Sequence, residues 1–106
     1  MKWENFNMIN LKNESLDRLF AAILRLETTE ECYRFFEDVC TVKEIREIAQ
    51  RLDVALYLSQ GKNYQEISAK TGASTATISR VNKCLNYGSG GYSEMLKKLN
   101  GERDVK

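Results

Sequence analysis

The chain has 106 residues, 16 Lys/Arg against 15 Asp/Glu and a net charge of +1, a length that suits one domain with a modest core. Histidine is absent and the three cysteines, Cys32, Cys40 and Cys84, form no CxxC pair, so neither a metal site nor a disulfide framework is expected. No stretch has the apolar length of a membrane span and the N-terminus lacks a signal-peptide pattern, so a cytoplasmic protein without membrane contact is expected.

Proline is also absent, glycine is sparse and apolar residues recur at helical spacing, which predicts an all-α fold. Residues 1–12, with Trp3, Phe6, Met8, Ile9 and Leu11 in no firm period, form an N-terminal arm that packs on a partner, or a frayed end. Residues 13–101 are expected to form a single helical domain. From about Ser15 to Leu26, the residues Leu16, Leu19, Phe20, Ile23 and Leu24 make one apolar stripe. Thr28 with Glu31, and Thr41 with Glu44, are capping-box signatures that open the next two helices. The second helix presents Cys32, Phe35, Phe36, Val39 and Cys40 on an apolar face, where the cysteines read as small core residues. The third runs through Ile45, Ile48, Ala49, Leu52 and Leu56 to Gly61, with Val54, Ala55 and Leu58 off its main stripe. A single-chain bundle or association between two copies could bury these broad faces.

Residues 64–85 read as a helix-turn-helix. A first helix carrying Ile67 and Ser68, capped by Asn63 and Glu66, meets a turn at Gly72, where a positive φ costs little without a Cβ. A second helix, capped by Ser74 or Thr75, places Ile78, Val81 and Leu85 on one face. Its other face carries Thr75, Thr77, Ser79, Arg80 and Lys83, with no carboxylate from Ser74 to Lys83. Short hydroxyls and two long cations suit phosphates and base edges in a major groove. A helical hairpin used only for packing would more often mix both signs outside. Charge is also divided along the chain: residues 1–60 carry −3 and residues 61–106 carry +4. The basic half is the half with the motif. Residues 86–92 read as a flexible connector and lack the lysine of a phosphate-binding loop. A last helix from about Ser93 offers Met95, Leu96 and Leu99 to the core, and residues 102–106 read as a disordered tail.

Phe35-Phe36-Glu-Asp, then Thr41-Val-Lys-Glu-Ile-Arg-Glu-Ile-Ala-Gln-Arg51, then Gly61, then Thr71-Gly-Ala-Ser-Thr-Ala-Thr-Ile-Ser-Arg80 resemble the Trp repressor superfamily. Within it, the chain is similar to the YerC/YecD-type branch over about residues 14–100. The resemblance implies an intertwined, all-helical homodimer with two helix-turn-helix heads that read DNA. It also sets Thr41, Arg51 and Arg80 where that family has ligand-contacting threonine and arginines. Here Val81 stands where the family has the glycine that admits the indole, and Cys84 where it has serine, so tryptophan is not expected as co-repressor and no cofactor is expected. Arg51 could instead pair with Glu47, and Arg80 could contact phosphate alone. Any small effector would be anionic, and flatter or smaller than tryptophan, held between two guanidinium forks.

The expected function is a sequence-specific DNA-binding repressor that acts as a homodimer on a double-stranded operator. Its contact set comprises Lys62, Lys70, Ser74, Thr75, Thr77, Ser79, Arg80 and Lys83. The alternative is a protein-interaction module that docks on another regulator or on polymerase with weak, sequence-blind DNA affinity. An enzyme is not expected, because neither histidine nor a paired-carboxylate constellation is present.

Overall fold

The computed structural model describes residues 13–101, all of whose regular structure is helical: α1 (Glu14–Ile23), α2 (Thr29–Val39), α3 (Val42–Ser59), α4 (Tyr64–Thr71), α5 (Thr75–Tyr87) and α6 (Gly91–Leu99). The arm at 1–12 and the tail at 102–106 lie outside the described residues. The chain divides into two compact units between Lys43 and Glu44.

In the first unit, the Asn13 side chain accepts the Leu16 N–H at 2.8 Å and caps α1. Glu14 and Asp17 occupy the first turn, where the helix dipole favours negative charge. The helix ends at Ile23, short of the expected Leu26. Arg25 and Leu26 donate instead to the carbonyls of Ala22 and Ile23, tightening the last turn before the chain extends into the next cap. Thr28 Oγ1 accepts the Glu31 N–H at 3.0 Å, as a capping box requires. The Glu31 carboxylate, however, reaches the N–H of Glu27 at 2.8 Å, one residue upstream of the position that motif uses.

Neither α1 nor α2 buries any residue. The two cysteines expected in a core are not there: Cys32 is exposed, and Cys40 is the extended residue that stops α2, only half-buried. Phe20, Leu24, Tyr33 and Val39 are likewise exposed. Phe35 and Phe36 meet edge to face with centroids 5.2 Å apart.

In the second unit, α3 closes with a Schellman motif at Gly61, whose φ is 84°. Lys62 N–H donates to the Tyr57 carbonyl at 3.1 Å and Gly61 N–H to that of Leu58 at 3.0 Å. Val54 and Ala55 of α3, Ile67 of α4, Ala73 of the turn, Ile78 and Val81 of α5, and Leu96 of α6 form the buried core. The face of α3 that lies deepest is therefore the one off its main stripe, whereas Ile48 and Ala49 of the stripe are exposed. The spacing of the last helix also points Met95 and Leu99 to the core. Both are exposed, and Leu96 alone of the three is buried. The connector is shorter than expected as well: α5 runs to Tyr87 and α6 starts at Gly91. A Cβ at Gly88 would collide with the Cys84 carbonyl, to which the Gly88 N–H bonds as α5 stops.

Candidate nucleic-acid interface

Local hydrogen bonds, joined by one from α3, build the turn that presents α5. Asn63 and Glu66 form a complete capping box at the start of α4, with bonds of 2.9 and 3.2 Å. At its end, Gly72 adopts a φ of 78° and returns its N–H to the Ser68 carbonyl at 2.8 Å. The Thr71 hydroxyl donates to the Ile67 carbonyl at 2.7 Å and accepts the Ala73 N–H at 3.1 Å. The Ser68 hydroxyl donates to the Ala73 carbonyl at 2.9 Å. Ser68 thus ties the end of α4 to the turn. From α3, Gln50 Nε2 donates to the Thr71 carbonyl at 3.1 Å. Sequence reasoning missed Gln50, because nothing in a helical period announces a partner 21 residues away.

Ser74, and not Thr75, caps α5, accepting the Thr77 N–H at 3.1 Å. Ile78 and Val81 are fully buried, and this anchors the inner side of the helix. Thr75, Ser79, Arg80 and Lys83 are exposed and Thr77 is half-buried. The five residues expected on the outer side of α5 are therefore carried by one helix rotated with its apolar stripe inward. Cys84 is also exposed on this helix. Of the flanking cations, Lys70 is exposed at the end of α4, its ammonium 5.8 Å from the centre of the Tyr57 ring. Lys62 is half-buried at the α3–α4 junction. Both stay within the same unit as α5. Between Glu66 and Glu94 the chain has no carboxylate at all, but it has Lys70, Arg80 and Lys83. The local field of this segment is therefore positive, although the chain as a whole is nearly neutral.

The three residues considered for a small ligand are distributed differently. Arg51 is half-buried on α3, Arg80 exposed on α5, and Thr41 belongs to the first unit. Val81, next to Arg80, faces inward with 1% exposure against the residues of α3 and α4 that complete the core. Among the described residues, no group of His, Cys, Asp or Glu is arranged to hold a metal ion. No described helix is long and apolar enough to cross a membrane.

An all-helical chain with a glycine turn, a buried inner stripe and a carboxylate-free outer helix is a helix-turn-helix protein. The family described as Trp repressor protein matches residues 14–100, and the chain belongs to it. It is 54% identical over 89 residues to the uncharacterised YerC protein of Bacillus subtilis (strain 168), covering 84% of this chain and 86% of that protein. Its fold superposes on that of a candidate Trp repressor from Staphylococcus aureus with a TM-score of 0.85 and 49% identity, covering 90% of this chain and 95% of the other. A TrpR-like protein from Eubacterium eligens ATCC 27750 gives a TM-score of 0.84 and 50% identity, with coverage of 87% and 95%. Membership places the chain among DNA-binding regulators and not among enzymes.

Proposed function

We propose that the protein is a sequence-specific transcriptional repressor that binds a two-fold operator as a cytoplasmic homodimer. The observation that carries this reading is the orientation of α5: Ile78 and Val81 are buried while Ser79, Arg80 and Lys83 stand exposed on a helix without carboxylates. Arg80 and Lys83 are long enough to reach guanine edges or phosphates, and Thr75 and Thr77 lie at the helix start, where free N–H groups favour an anion. Lys62, at the α3–α4 junction, and Lys70, at the end of α4, are further backbone contacts. Support for two copies comes from α1 and α2, which bury none of their residues within the chain. A stable helical protein does not leave two such faces to water. Two copies would set two recognition helices about 34 Å apart for successive major grooves.

The regulator acts without tryptophan. This reading is supported by Val81, a β-branched residue packed into the core of the second unit, where close packing leaves little room for added bulk. Selection of genomic fragments by the purified protein, near physiological salt and without added ligand, tests both parts. Enrichment of a two-fold site is expected. Enrichment only with tryptophan would overturn ligand independence, and none under either condition would favour docking on another regulator or on polymerase.

A further inference from the structure

The second unit holds α4 and α5 against α3 in two physically different ways. One is the apolar core at Val54 and Ala55, which is non-directional and resists separation far more than rotation. The other lies one helical turn back along α3, where Gln50 Nε2 meets the Thr71 carbonyl at 3.1 Å. Hydrogen bonds are directional, so a second point of attachment of this kind stops the helix pair from turning about the first. The acceptor is well chosen for that purpose. Thr71 is the last residue of α4, and its hydroxyl is fixed to the Ile67 carbonyl and the Ala73 N–H. Gln50 therefore grips a rigid turn and not a loose loop. The same amide lies 3.9 Å from where a Cβ on Gly72 would be, so the side chain lies along the turn itself.

We propose that Gln50 is a positioning residue for the recognition helix: it fixes the angle of α4–α5 on α3 and thereby sets the half-site spacing that the protein accepts on DNA. The inference rests on α5 being the DNA-reading helix of a dimer. In that dimer, a small rotation of each head changes the separation of the two recognition helices without touching any base-contacting side chain. Gln50 then governs spacing, while Ser79, Arg80 and Lys83 govern sequence.

The test uses the full chain as wild type, Gln50→Leu, Gln50→Glu and Thr71→Ala. Leucine and glutamate keep similar bulk but remove the donor. Thr71→Ala loosens the turn while leaving the Thr71 carbonyl for Gln50 to grip. Residual dipolar couplings of the backbone amides, without DNA, report the orientation of α5 relative to α3. A single orientation is expected for wild type, reduced or altered alignment of α4–α5 for both Gln50 variants, and a smaller loss of alignment for Thr71→Ala, which loosens the turn but keeps the bond from Gln50. Selection from random duplexes then reports spacing. The Gln50 variants are expected to enrich the same half-site sequence as wild type, spread over neighbouring spacings, with about fivefold weaker binding at the preferred one. Unchanged couplings in the Gln50 variants, or an unchanged narrow spacing profile, would overturn the proposal. If wild type itself enriched no paired site, the DNA-reading function would fail, and with it the claim about spacing. The couplings would still decide whether Gln50 holds the head.

Discussion

The Ser74 hydroxyl is committed twice to Thr77: it accepts the Thr77 N–H at 3.1 Å and donates to Thr77 Oγ1 at 3.2 Å. A hydroxyl has one hydrogen to give, and here Ser74 spends it on its neighbour. The Thr77 hydroxyl, which accepts that bond, keeps its own hydrogen for another acceptor. Ser74 is therefore the residue that orders the start of α5, and Thr77 the one whose donor is available there. Ser74→Ala is expected to lower stability by about 1 kcal/mol through loss of the cap. Ser74→Asn, which also caps well, should restore most of it. Urea unfolding of the three proteins checks this, and equal midpoints would show that the cap carries no weight.

Gly72→Ala separates strain from crowding. A Cβ on Gly72 would meet Gln50 Nε2 at an ordinary 3.9 Å, so space is available. The φ of 78° is the obstacle, since a left-handed conformation costs an L-residue about 1–2 kcal/mol. A loss of that size is expected in thermal or urea unfolding, with Gly72→Asn falling between alanine and wild type. A neutral Gly72→Ala would mean that the turn relaxes to another conformation.

The helix-turn-helix was legible almost residue by residue because its determinants are local. Asn63, Glu66, Gly72 and Ser74 act within one turn of chain, and the Ile78–Val81 spacing fixes which side of α5 goes inward. Elsewhere, periodicity names an apolar face without naming what covers it. That is why Cys32, Met95 and Leu99 share the pattern of core residues yet are exposed in the chain. On α3 two apolar sides competed, and only packing against Ile67 and Ile78 selects Val54 and Ala55 over Ile48. The Gln50–Thr71 bond was illegible for the same reason: it depends on how α3 and α4 meet.

Val81 also yields a test of ligand control. A small molecule bound to the native state raises stability by about 2.7 kcal/mol at a hundred times its dissociation constant. If the protein acts without tryptophan, millimolar L-tryptophan is expected to leave the unfolding midpoint of the wild type unchanged, with Val81, 1% exposed, staying packed in the core. A clear upward shift, absent with a non-aromatic amino acid, would show that α3 and α5 part to admit the ring.

Arg80 and Lys83 should separate base reading from phosphate contact once the operator is in hand. Both are exposed on the same helix, and their effects on binding differ in kind. A residue that hydrogen-bonds a base edge loses about 1–3 kcal/mol on truncation and relaxes preference at one position. A residue on phosphate weakens all sequences alike and reduces the salt slope by about one. Affinities of Arg80→Ala and Lys83→Ala for the selected site and a scrambled duplex, at several salt concentrations, distinguish the two. Arg80, closer than Lys83 to the Ser74 cap and so nearer the N-terminal end that enters the groove, is expected to show the first pattern, and Lys83 the second. Should neither variant weaken binding, α5 is not the surface that meets DNA.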